Sequence, residues 1–133
     1  MDCVSDTHST IWYLFALPEL SATAKNHLDA VAASGGYIFV PTISFVEITY
    51  LAERNRLGAN VLATINTAIQ APNSVLKPVE LTYSIASSLN QIPRSIVPDM
   101  PDRIISATAL HLNLPLVTKD EKIQKLTNIQ TIW

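Results

Sequence analysis

Five carboxylates in this chain stand out by where they fall. Asp6 ends a short apolar run at the start. Glu47 lies early in a helical pattern, just past the β-rich Tyr37-Ile-Phe-Val40. Asp99 and Asp102 open the stretch Asp99-Met-Pro-Asp102-Arg-Ile-Ile-Ser-Ala-Thr-Ala-Leu110, and Asp120 follows the apolar Leu114-Pro-Leu-Val-Thr118. Each sits at the carboxyl end of an expected strand or at the opening of an expected helix. In a parallel sheet all strand carboxyl ends point to one edge, so acids far apart in sequence converge there. Acids gathered this way repel, and some stay protonated unless a cation neutralises them. An oxygen-rich set without His or Cys suits Mg²⁺ or Mn²⁺ rather than zinc. A hard divalent ion among carboxylates is a phosphoryl-transfer apparatus: it acidifies water, polarises the phosphoryl group and offsets charge on the leaving oxygen. No Ser–His–Asp or Cys–His arrangement competes, and three glycines leave little scope for a Gly-rich phosphate loop.

Every one of these acids also has a plainer use. Asp99 stands where an N-cap belongs, with Pro101 in the first turn, where its missing N–H costs little. Asp102, three residues on, can share its face. Ser44-x-x-Glu47 matches the capping-box pattern. Asp6 can cap the helix that follows, as can Thr7 or Ser9. Position alone leaves capping and metal ligation both open at Asp6 and Asp99.

The elements that must hold these acids follow from periodicity. Residues 1–5 read as a strand, and Ile11-Trp12-Tyr13-Leu14-Phe15 as a helix stopped by Pro18. A helix over 21–34 starts at Ser21 and closes at Gly35-Gly36. The strand Tyr37–Val40 is followed by a helix over 42–54, with Phe45, Ile48, Leu51 and Ala52 apolar, and another over 59–71. Residues 75–79 form an edge strand, because Pro78 cannot donate to a ladder. Thr82 caps a helix to about Leu89, and the proline-bearing loop 91–98 is the segment expected to move most. The helix after Asp99 carries the stripe Ile104, Ile105, Ala107, Thr108 and Leu112. A strand over 114–118, a short helix to Leu126 and a strand over 129–133 complete the chain. Strands alternating with helices mean an α/β fold: a mostly parallel sheet of four to five strands covered on both faces.

Bulk composition sets limits. At 133 residues, 48% hydrophobic and 15% charged, the chain is expected to form one packed domain over 1–133 and not a disordered one. A net charge of −2 is no electrostatic footprint of a nucleic-acid binder. A nucleic-acid substrate would need a bound metal or a local patch, for which Lys119 and Lys122 are the candidates. The single cysteine, Cys3, permits no intrachain disulfide and reads as a small core residue. The apolar run Ile11–Leu17 is too short to span a membrane. Asp2 and Asp6, with no early basic residue, argue against a signal peptide, so a cytoplasmic protein is expected.

Taken in order, four pieces resemble the PIN-domain family, and within it the VapC-type toxins of type II toxin–antitoxin modules. They are Asp6-Thr7-His8, Ser44-Phe-Val-Glu47, Asp99-Met-Pro-Asp102-Arg-Ile-Ile-Ser-Ala-Thr-Ala109 and Leu116-Val-Thr-Lys-Asp120, with a closing Ile132-Trp133. The resemblance spans essentially the whole chain. It implies a three-layer α/β/α PIN fold, a Mg²⁺- or Mn²⁺-dependent endoribonuclease acting on RNA, a homodimer, and inhibition by a cognate antitoxin protein. Carried over, Asp6, Glu47 and Asp102 are the core catalytic metal ligands and Asp120 a further catalytic acid. Asp99 either binds metal, through water, or caps the helix. Asp99-Met-Pro-Asp102 departs mildly from the commoner Asp-Pro-Phe-Asp form. Thr7, Ser44, Arg103 and Lys119 are candidate substrate contacts. Capping competes at Thr7 and Ser44, and an ion pair at Arg103. His8 can lie near the site, and His111 reads as a surface residue. Trp12, Tyr50 and Leu51 can line an apolar groove for an antitoxin helix or belong to the core.

Two other classes compete. A receiver-like signalling domain also gathers acids with a Thr/Lys pair, here Thr118-Lys119, but needs paired acids after its first strand, where Asp6 stands alone. An inactive PIN-like binding module would keep the fold without needing the acids.

Overall fold

The centre of the protein is a sheet whose strand order is not the order of the chain. The computed structural model describes residues 1–58 and 60–133. Its elements are β1 (Cys3–Ser5), α1 (Thr7–Leu14), α2 (Ala22–Ala33), β2 (Ile38–Pro41), α3 (Thr42–Glu53), α4 (Val61–Gln70), β3 (Leu76–Val79), α5 (Tyr83–Ser87), a 3₁₀ turn (Ser88–Gln91), α6 (Met100–Leu112), β4 (Leu116–Val117), α7 (Glu121–Gln124) and β5 (Thr131–Ile132). The helix expected over 59–71 begins on a residue outside the described ones. The five strands run all parallel in the order β3-β2-β1-β4-β5.

Side-chain alternation along the strands separates two cores. Val4 and Leu116, which are register partners, face the layer of α5, α6 and α7 together with Phe39. Cys3 and its partner Ile38, with Val40 and Val117, face α2. A third cluster of Ile11, Ile48 and Ile65 joins α1, α3 and α4. The result is the expected three-layer α/β/α arrangement. Pro78 lies on the edge strand, in register with Val40, where its missing N–H leaves no ladder bond unmade.

The ends of elements differ most from expectation. α1 begins at Thr7, capped by Asp6 and not by Thr7 or Ser9. α3 begins at Thr42, where it was expected, directly after Pro41 and with no side-chain cap. Ser44 is therefore inside the helix, and the capping box with Glu47 does not form. β4 and β5 keep two residues each. The loop expected to be most mobile buries Ile92 and Val97 in the α6 core. Ser21 and Thr82 cap as anticipated, accepting from Ala24 N and Ile85 N, and Gly35 takes φ +77 after α2.

Gly36 is where the backbone of the first residue passes closest, since a Cβ there would collide with the Met1 carbonyl and meet the Asp2 carboxylate. The Asp2 Oδ1 accepts from Tyr37 N at 2.7 Å. Gly36→Ala is therefore expected to cost about 1–3 kcal/mol by overpacking, read as a lower urea midpoint with an unchanged slope.

Candidate active site

The chain moves outward from β1 to β2 and β3, then returns to place β4 and β5 on the other side. Crevices in open α/β sheets lie at such a reversal, beyond the strand carboxyl ends. Asp6 follows β1, Asp120 follows β4, Glu47 is on the helix after β2, and Asp99 and Asp102 open α6. The structure brings all five to one cleft of about 570 Å³, shared with Thr7, His8, Trp12 and Lys119. Glu121, in the first turn of α7, also lines it; sequence reasoning passed over it, though its place beside Asp120 was the available signal.

Three of the acids are helix caps. Asp6 Oδ1 accepts from Ser9 N at 2.8 Å, Asp99 Oδ2 from Asp102 N at 3.2 Å and Asp120 Oδ1 from Ile123 N at 2.8 Å. A cap bond occupies one carboxylate oxygen and leaves a second with free lone pairs. Capping fixes these side chains at the sheet edge without consuming them.

The site is electrostatically loaded. Burial pushes the Asp6 carboxyl up, partly offset by hydrogen bonding from Thr118 and Ser9. Burial also raises Glu47, against a hydrogen bond from Thr7 that lowers it, with Asp99 and Asp6 adding repulsion. Asp102 is pushed up to about 7, first by burial and then by Asp99, Asp120, Glu47 and Asp6. All four other acids thus act on one carboxyl group.

The donor set fits a hard cation: oxygen only, excess negative charge, partly desolvated. Among the described residues no three acid or imidazole groups stand close enough to form a ready-made ligand cluster. That spacing suits an ion which takes one or two carboxylates and keeps several waters, as Mg²⁺ does. Simultaneous direct ligation by all five is not what the geometry offers.

The candidate substrate contacts divide. Lys119 is exposed on the cleft wall, with Nζ 5.8 Å from the Trp12 ring centroid. Thr7 is buried, 2.6 Å from Glu47 Oε1 and 2.9 Å from Ser44 Oγ. A hydroxyl has one proton to give, so Thr7 donates to the carboxylate and Ser44 donates to Thr7. Ser44 is fully buried behind Thr7 and away from the cleft wall. Arg103 also turns away: Nε and Nη2 donate to Ile92 O, and Nη2 to Leu89 O at 2.8 Å. Its guanidinium thus braces the chain before α6 through backbone carbonyls. Thr7→Val leaves Glu47 without its donor and is expected to cost about 1–3 kcal/mol, while Thr7→Ser retains most of that in urea melts.

The apolar expectations also divide. Trp12 and Leu51 line a neighbouring groove of about 450 Å³ with Ile11, Phe15, Leu57 and Val61, and His8 and Trp12 belong to groove and cleft alike. Tyr50 is outside that groove and 56% exposed, with Arg54 over its ring. His111 is an exposed residue of the last turn of α6.

The sheet order separates the competing folds, because receiver-type sheets run 2-1-3-4-5 and this one does not. The chain is 29% identical over 133 residues to "Ribonuclease VapC22" of Mycobacterium tuberculosis (strain ATCC 25618 / H37Rv), covering 96% of this chain and 95% of that protein. Its fold is similar to the crystal structure of VapBC2 from Rickettsia felis bound to a DNA fragment from its promoter, with a TM-score of 0.73 at 14% identity over 98% of this chain and 97% of that one. It is also similar to DNA-bound VapBC from Salmonella typhimurium, with a TM-score of 0.71 at 17% identity over 98% and 97%. The PIN domain family model matches residues 3–129, and the chain belongs to the PIN-domain family.

Proposed function

We propose that this protein is a divalent-metal-dependent endoribonuclease that hydrolyses RNA phosphodiester bonds, the toxin of a toxin–antitoxin pair. The observation that carries this reading is the convergence of five acids from four chain segments on one cleft. The likeness to a VapC ribonuclease supports it.

In this reading one or two of Asp6, Glu47 and Asp102 would ligate Mg²⁺ or Mn²⁺ directly, and the remaining acids, Asp99 and Asp120 among them, would act through its bound waters. Bound there, such an ion would supply Lewis acidity for a water nucleophile and positive charge beside the phosphoryl oxygens. Thr7 orients Glu47, and the three cap bonds hold Asp6, Asp99 and Asp120 at fixed angles to the cleft. Lys119 draws the RNA backbone to a wall that otherwise repels it. Mn²⁺-dependent cleavage of structured RNAs, lost in Asp6→Asn and in EDTA, tests the reading. Cleavage that survives both refutes it.

The raised Asp102 also ties stability to pH. Its folded-state pKa of about 7 stands above the ordinary 3.8. Between those values the folded protein binds the extra proton, so stability falls as pH rises toward 7. The metal-free protein is expected to melt lower at pH 8 than at pH 5.5. Mg²⁺ is expected to raise the melting temperature more at pH 8, where it replaces the lost proton.

The apolar groove beside the cleft suits an amphipathic antitoxin segment. Because His8 and Trp12 belong to both surfaces, a segment seated there abuts the acids and obstructs RNA. The same reading takes the working protein as a homodimer.

A further inference from the structure

The cleft has a second wall that the acids do not explain. His8 and Trp12, one helical turn apart on α1, share a face. Their ring centroids are 5.5 Å apart at 42°, and Trp133 meets Trp12 at 5.9 Å and 57°. His8 is exposed and Trp12 half-buried, so the imidazole is the open end of a cluster of tilted rings that runs through Trp12 to Trp133. Lys119 Nζ lies 5.8 Å from the Trp12 centroid. This aromatic and cationic wall faces the same cleft as the carboxylates.

We propose that His8, backed by Trp12, is a stacking platform for an unpaired nucleobase next to the scissile phosphate, with Lys119 engaging that nucleotide's phosphate. The proposal rests on the RNA-cleaving reading of the cleft and names the residue that takes the base beside the cut. The net charge of −2 gives little non-specific attraction for a polyanion, so affinity needs another source. Stacking supplies it without sequence readout, because every base has a π-face. A base inside a duplex keeps its faces against its neighbours, whereas loops and single strands can turn one out. Lys119 and a cation held by the acids would take the phosphate side of the nucleotide, and the platform holds the base side.

The test uses a fluorescent RNA hexamer and the same hexamer with abasic central positions, bound to the Asp102→Asn protein so that no strand is cut. His8→Ala on that background is expected to weaken the base-bearing strand by about 5- to 50-fold and the abasic strand less than about twofold. His8→Phe is expected to restore binding. The base-bearing strand is also expected to quench tryptophan fluorescence through Trp12, and the abasic strand not to. In the active protein, His8→Ala should raise KM while leaving kcat near its starting value. Equal losses for both strands, no loss for either, or failure of His8→Phe to restore binding overturns the platform. If the parent cleaves RNA normally in those cases, the nuclease reading survives. If no RNA is bound or cut at all, both fall together. His8 is exposed, so its replacement leaves the fold intact.

Discussion

Asp102→Asn is expected to lower RNA cleavage by about a thousandfold while raising the melting temperature of the metal-free protein. The two effects come from one cause. Asp102 is the group on which the other four acids converge, and its carboxyl is pushed up to about 7. Each unit of such a shift corresponds to about 1.4 kcal/mol between protonation states. Solvent at this partly exposed group screens most of it, leaving roughly 1–2 kcal/mol. Above pH 7 the wild type bears that cost and the neutral asparagine does not, so the gain is a few degrees at pH 8. At pH 5 the wild-type carboxyl is protonated in the folded state, so the gain is smaller, and it vanishes only below the ordinary 3.8. A mutant that loses activity and stability together would point to a structural role instead. Calorimetry of both proteins at the two pH values separates the cases.

Arg103→Ala is expected to have the largest effect on stability, a loss of about 2–4 kcal/mol. One guanidinium serves two carbonyls, Leu89 O and Ile92 O, at the start of the loop that leads to Asp99. Without it two partly buried carbonyls lose a charged donor, and the loop loses its tie to α6. Arg103→Lys should recover little, since an ammonium lacks the planar fork. Urea denaturation gives the loss directly. Limited proteolysis should show new cleavage within 91–98 before the rest of the chain opens. A change under about 0.5 kcal/mol would mean that Ile92 and Val97 hold the loop unaided.

The parallel sheet and its helices follow from patterns that the sequence displays. The β-rich run at 37–40 and the apolar stripe after Asp99 are long enough to impose their period, and alternation of strand and helix leads to a parallel sheet. The acids could be located for the same reason, because each is tied to the end of such an element. Element starts were legible at Ser21, Thr82 and Asp99, whose side chains cap as expected, and less so at α1. Asp6 starts α1 earlier than the apolar run suggested. Ser44-x-x-Glu47 shows how a local pattern misleads: Glu47 receives its hydrogen bond from Thr7, 40 residues away. Arg103 is the parallel case, because backbone carbonyls leave no mark in a sequence. At Asp6 and Asp99 the choice between cap and ligand rested on a false opposition, since one oxygen caps and the other is left over.

The most direct test of the cation-binding cleft is Mn²⁺ titration of the wild type and Asp102→Asn at pH 7, followed by calorimetry in two buffers of different ionisation enthalpy. Saturable binding by the wild type with net proton release is expected, because the Asp102 carboxyl is pushed up to about 7. In the mutant the affinity is expected to be at least about tenfold weaker, without that release. Absence of Mn²⁺ binding, or equal affinity and equal proton release in the two proteins, would contradict that expectation.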